Sequence, residues 1–133
     1  MKQKGFTLIE IMVVVAIIGL LAALAYNSYT GQVMRSNRSD AKSALNDVAQ
    51  RLQRCYTTYS AYNSDECGVH TELDAGVIDS SEGMYEVDYE AGSISATTFT
   101  LVATPVRPPQ TNDDECDDMS LAHTGRRAPA DCW

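Results

Sequence analysis

The chain lacks the residue patterns on which most enzymes depend. It contains no GxSxG elbow, no phosphate-binding P-loop and no nucleophile–base motif. His70 and His123 are its only histidines, and they stand in no metal-ligand spacing. None of its cysteines forms a CxxC pair, which removes zinc-ribbon and thioredoxin-like readings. The acidic run "NDDECDD" (112–118) gathers Asp113, Asp114, Glu115, Asp117 and Asp118. It has neither the spacing nor the glycine of a helix–loop–helix calcium site, so it reads as a solvated acidic loop. There is no internal repeat and no low-complexity segment. No metal or cofactor is expected, and the chain reads as a non-enzyme.

Charge is also missing where it would be most costly. From Phe6 to Ala25 the sequence "FTLIEIMVVVAIIGLLAALA" carries one charged residue, Glu10. At about 1.5 Å per helical residue this stretch is long enough to cross a hydrocarbon core of about 30 Å. A carboxylate inside lipid costs roughly 2.5–3.5 kcal/mol on insertion scales, so a simple anchor would avoid it. Glu10 therefore demands a reason.

The remaining charge is unevenly placed. Lys2 and Lys4 precede the apolar run, and by the positive-inside rule they keep that end in the cytoplasm. The basic group Arg35, Arg38, Lys42, Arg51 and Arg54 opposes that orientation, but the cysteines support it. Cys55, Cys67, Cys116 and Cys132 all follow the anchor, and an even number in a small exported domain favours disulfides. Four cysteines allow three pairings. Cys55–Cys67 and Cys116–Cys132 close short local loops and are the expected pairs. From Cys55 onward there are three basic and 15 acidic residues, a net charge of −12. Such a head lacks the basic footprint of a sequence-independent nucleic-acid binder, so nucleic acid is not expected as a direct partner.

The residues "GFTLIE" (5–10) closely resemble the processing site of type IV prepilins. The resemblance implies that a prepilin peptidase cuts between Gly5 and Phe6 on the cytoplasmic face and N-methylates Phe6. Residues 1–5 would then be a leader, 6–26 a transmembrane and assembly helix, and 27–133 a periplasmic head. It also implies a partner for Glu10, the N-terminal amine of a neighbouring subunit in a filament. A buried acid that is costly alone and satisfied on assembly would enforce register. One departure from the pattern is Asn27, which stands where such pilins commonly have proline. A chain without that proline keeps its backbone donors there.

The helical pattern continues beyond the anchor. Tyr26 and Tyr29 suit a membrane interface. Ala41, Leu45, Val48, Leu52 and Cys55 then recur every three or four residues, with polar residues between them. This predicts one nearly continuous helix from Phe6 to about Tyr59, with Arg51 and Arg54 placed to suit its C-terminal dipole. Ser60–Gly83 reads as a connecting loop. "MYEVDYE" (84–90), "TFTLVAT" (98–104) and "DMSLAHT" (118–124) alternate as strands, with Tyr85, Val87, Tyr89, Phe99, Leu101, Ala103, Met119 and Leu121 inward. Tyr56, Tyr59 and Tyr62 are expected to pack the loop over the helix end.

A helix and a sheet with one apolar face each are expected to pack together. The fold class is therefore α+β: a long N-terminal helical spine on a small antiparallel sheet, as in type IV pilins. The segments "RSNRSDAKSAL" and "C…TG…CW", with "TFTLVATP", are most similar to PilE-type minor pilins. What the resemblance implies is a structural subunit of a bacterial type IV pilus, with other pilin subunits, the prepilin peptidase and the inner-membrane assembly machinery as partners. It would sit in the inner membrane before assembly and on the cell surface afterwards, supporting pilus biogenesis, adhesion and twitching motility. The alternatives are a major pilin, a type II secretion pseudopilin and a DNA-binding pilin of a competence pilus.

Overall fold

In a computed structural model, residues 5–133 are described; Met1–Lys4, including Lys2 and Lys4 of the expected leader, lie outside them. The chain divides into two compact units, one ending at Val33 and the other running from Met34 to Trp133. Helix α1 is Leu8–Tyr59, so Phe6 and Thr7 precede the first helical turn.

In the first unit the helix is apolar and uncovered. Its large side chains from Leu8 to Leu24 are exposed. An 18-residue window reaches a mean hydropathy of 2.8, which is long and apolar enough to span a membrane.

The second unit is built from residues 34–59 of α1, a short helix α2 (Gly68–Ala75) and five strands: β1 (Ile78–Asp79), β2 (Tyr85–Tyr89), β3 (Thr100–Pro105), β4 (Met119–Ala122) and β5 (Arg127–Ala128). The strands follow one another in sheet order β1-β2-β3-β4-β5, and each pair is antiparallel. Val87 faces Ala103, which in turn faces Met119, and Leu101 faces Leu121. This register sets the apolar residues of the three central strands on one face.

That face meets the apolar stripe of α1. Ala41, Leu45, Val48 and Leu52 are buried against Tyr85, Val87, Phe99, Leu101, Ala103, Met119 and Leu121 in one core. Each fully buried Val, Leu, Phe or Met side chain among these contributes roughly 1.5–3 kcal/mol. The outward face keeps Asp88, Thr104 and Asp118 in solvent. At the end of the helix Tyr56 stacks on Tyr62 with centroids 4.7 Å apart, and Tyr62 meets Phe99 edge-on at 4.8 Å. Tyr56 and Tyr62 thus fold the chain back over the core, whereas Tyr59, expected to pack with them, is exposed.

Two expectations need correction here. Ser60–Gly83 is not simply a loop. Val69 and Leu73, four residues apart, give the short segment "GVHTELDA" one apolar face, and α2 buries both. Arg51 does not serve the helix terminus. It pairs with Glu72 of α2 and with Asp47, holding the short helix to the long one. The tail after β4 also forms a strand, because Gly125, at φ +82°, allows the tight turn that carries β4 into β5.

Candidate functional site

The candidate assembly segment begins at Gly5. Gly5, Phe6 and Glu10 are all exposed. Thr7 and Glu10 bracket the first turn of α1. The Glu10 amide donates to Thr7 Oγ1 at 3.4 Å, and the Thr7 amide donates to Glu10 Oε2 at 3.5 Å. This reciprocal arrangement is a capping box, T-x-x-E, which satisfies two of the donors a helix start leaves open. The signal stands in the sequence as "TLIE", where the assembly role expected of Glu10 obscures it. In the isolated chain Glu10 caps its own helix.

The cysteines lie in the second unit. Cys55 is bonded to Cys67 and Cys116 to Cys132, with Cα separations of 5.5 and 5.8 Å. The first bond ties the end of α1 to the start of α2. The second ties the 3₁₀ turn Ala130–Cys132 back to the acidic segment before β4.

The acidic segment is not uniformly solvated. Asp113 is buried, its side chain 3% exposed, and it accepts two hydrogen bonds from Arg38: from Nε at 2.7 Å and from Nη2 at 2.6 Å. These bonds hold the Arg38 guanidinium above its usual range, against burial, which acts the other way. Glu115 stands 3.5 Å from the same guanidinium. Beside this pair the fully buried Gln110 donates from Nε2 to the Tyr85 hydroxyl at 2.6 Å and to the Met34 carbonyl at 3.3 Å. Burial raises the Tyr85 phenol above its usual value, and the Gln110 bond opposes that rise. The segment 106–118 is thereby fastened to the helix by polar contacts. Among the described residues no group of histidines, cysteines and carboxylates is arranged to hold a metal ion.

The histidines have structural partners. His70 Nδ1 lies 3.2 Å from the Tyr89 hydroxyl, whose pKa is pushed up to about 12, mainly by burial and then by Asp74 and Asp88. His123 Nδ1 lies 3.4 Å from the Phe99 carbonyl. His123 also lines an open cleft of about 420 Å³ with Phe99, Thr100, Thr98, Ser93 and Arg126. Next to it, Arg127 lies over the Trp133 ring, 4.8 Å from its centroid.

Comparisons with known proteins agree with this geometry. A family model described as "Type IV minor pilin ComP, DNA uptake sequence receptor" matches residues 27–120. This chain belongs to the type IV minor pilin ComP family. A second model, the prokaryotic N-terminal methylation motif, matches residues 1–26. Among solved structures the pilin is similar to a type IV pilin from Shewanella oneidensis, with 28% identity and a TM-score of 0.54, over 75% of this chain and 97% of that one. No curated protein matches the sequence.

The α+β pilin fold expected from the sequence is therefore the one observed, and the chain is a minor pilin with an apolar N-terminal helix suited to inner-membrane anchoring before it enters the pilus. The family accounts for pilin subunits and the assembly machinery as partners. It does not support the expectation that nucleic acid is an unlikely partner, because the family's own description is that of a DNA receptor.

Proposed function

We propose that this minor pilin is processed between Gly5 and Phe6, methylated at Phe6, and built into a type IV pilus through the packing of its apolar helix. The observation that supports this reading is the single carboxylate, Glu10, in an otherwise uncharged stretch 6–25 whose large apolar side chains are exposed. Cleavage creates an ammonium at Phe6. In a lipid or filament interior Glu10 then exchanges its local cap for the amine of a neighbouring subunit, and a buried charge left without such a partner costs several kcal/mol. Sheared filaments analysed by mass spectrometry should contain the peptide beginning at N-methylated Phe6. Glu10→Ala should leave processed protein in the membrane but remove it from filaments. Normal incorporation of that variant would refute the pairing.

A second reading concerns the filament's cargo. The family description supports direct contact with DNA. The basic residues after Cys55 are few, and two of the three, Arg126 and Arg127, stand together and exposed at the β4–β5 turn. The cleft that Arg126 lines has no carboxylate to repel a DNA backbone. Binding of labelled duplex DNA to the processed full-length chain in neutral detergent tests it.

A further inference from the structure

Within the second unit the two flanks of α1 carry opposite charge. On one flank the helix and the turn between β1 and β2 enclose a groove. It consists of two adjoining hollows, of about 240 and 470 Å³, that share Ser43 and Ser81. Its helical wall is the stripe Ser36, Asp40, Ser43 and Asp47, spaced at intervals of three and four residues along one side of α1. Its other wall carries Asp79 and Glu82. No lysine or arginine lines either hollow.

The charge of this groove is not answered within the chain. Asp40 is only 9% exposed, and both its oxygens accept the single Glu82 amide at 3.3 Å. Asp47 has Arg51 at 4.0 Å, but among the described residues Asp40, Asp79 and Glu82 form no ion pair. The Arg107 guanidinium lies beside Gly83 and lines neither hollow. A desolvated carboxylate without a cation is costly, and Asp40 sits in the wall of an open groove. The missing cations stand on the other flank of the same helix. At about 100° per residue Lys42 lies roughly opposite Asp40, and Arg35, two turns before Lys42, shares its side. Neither is in an ion pair, whereas Arg38 and Arg51 both are.

We propose that the groove seats the basic flank of α1 from a second copy of this chain, with Arg35 and Lys42 of one head entering beside Asp40, Asp79 and Glu82 of the next. The proposal rests on the filament reading above and adds to the apolar packing of residues 6–25 a polar contact between heads. Its ground is charge complementarity: each flank of the helix presents what the other lacks. The serine hydroxyls of the groove both donate and accept, so they can take up the donors of a guanidinium or ammonium that the carboxylates leave over. Because the two surfaces differ, the contact is heterologous. Each added copy then leaves one groove and one basic flank open, and a repetition that does not close on itself grows as an open helical array.

Lys42 is the only lysine after Phe6, which makes the contact chemically addressable. The test is carbodiimide cross-linking, which joins an amine to a carboxylate it touches, with sedimentation equilibrium of the same samples. The sample is the processed full-length chain in neutral detergent, half of it isotopically labelled. At about 0.1 M salt a cross-linked dimer should join the Lys42 peptide of one copy to the peptide of the other that carries Asp79 and Glu82. At about 1 M salt it should largely disappear, because the screening length falls from about 10 to about 3 Å. Asp79→Lys/Glu82→Lys and Arg35→Glu/Lys42→Glu should each weaken self-association at least about tenfold, since like charges then face each other. Asp79, Glu82 and Arg35 are exposed, Lys42 is half-buried, and none holds an ion pair, so both variants should keep the wild-type circular dichroism. An equimolar mixture of the two should associate like wild type, because each reversed surface then meets its complement. A wild-type chain that stays monomeric at the lower salt, self-association indifferent to both reversals, or a mixture without rescue would overturn the contact. Self-association indifferent to the reversals, with the groove variant nevertheless depleted from sheared filaments, would overturn it in favour of a different pilin as occupant. Incorporation of the wild-type chain into filaments is read separately, so the head contact can fail while the filament reading stands.

Discussion

Replacing Asp113 by alanine should be among the most damaging single changes in the head. It removes two short, charge-assisted hydrogen bonds and leaves the Arg38 guanidinium, whose side chain is only 13% exposed, facing an uncharged methyl. Breaking a buried ion pair by deleting one partner costs about 3–5 kcal/mol, because the survivor stays desolvated. Two features lower the figure here. Arg38 retains some solvent, and Glu115, already 3.5 Å away and with a side chain that is 87% exposed, can swing closer. A loss of about 2–4 kcal/mol follows from that discount. In a domain of about 100 residues each kcal/mol shifts the melting temperature by about 4–8 °C, so a fall of about 8 °C or more is expected.

The assay is thermal unfolding followed by circular dichroism, on the full chain in detergent with both disulfides intact. Arg38→Ala should be worse than Asp113→Ala, since it strands the more deeply buried partner, Asp113, at 3% exposure. The double variant Arg38→Met/Asp113→Leu should recover much of the loss, because apolar groups of similar shape carry no desolvation cost. A melting temperature within about 3 °C of wild type for Asp113→Ala would refute the reasoning, as would a double variant no better than the singles.

Two further outcomes follow from the second unit. Cys132→Ser opens a loop whose ends are 16 residues apart and should cost roughly 3 kcal/mol in the chain-entropy account, lowering the melting temperature and the yield of pili; an unchanged melting temperature would contradict it. Tyr89 has a folded-state pKa raised to about 12 from 10, so it favours the neutral form in the native state. Its stabilising contribution is complete below pH 10 and is lost as the pH rises from 10 to 12, where the unfolded chain ionises first. Tyr89→Phe should flatten the alkaline fall in stability over that window, and an equally steep fall in the variant would count against burial as the cause.

The parts of the fold that were legible in the sequence were those with an uninterrupted period. The stripe Ala41, Leu45, Val48, Leu52 runs through three turns, and the alternation in Tyr85–Tyr89 and Thr100–Pro105 through two or three pairs. These signals are long enough to specify an element without help from the rest of the chain. Helix α2 and strands β1 and β5 are different. They have eight, two and two residues. Isolated helices shorter than about 12 residues are marginal, so α2 exists because Cys67 is tied to Cys55 and Arg51 reaches Glu72. Those are tertiary causes, invisible to periodicity. The same holds for Asp113: nothing in "NDDECDD" distinguishes the one aspartate that meets Arg38 from its four solvated neighbours.

The expectation of nucleic acid as an unlikely partner is not supported by the family match, and the reason is again local. The net charge of residues 55–133 is a sum and not a property of every point on the surface, and the local pair Arg126–Arg127 keeps a DNA-binding alternative open. At physiological ionic strength a charge is felt over about 8 Å, so a ligand at one end of the sheet responds to its own neighbourhood. Glu90 and Asp118 line a hollow on the outward face, and Asp113 is neutralised by Arg38 inside the head. Arg126 and Arg127 stand together on a turn whose adjoining cleft holds no carboxylate. An acidic surface repels a polyanion at a distance, and in dilute salt that would slow the encounter the DNA reading requires. On the proposed DNA reading, the β4–β5 end is a place where a duplex would meet no adjoining carboxylate in the cleft.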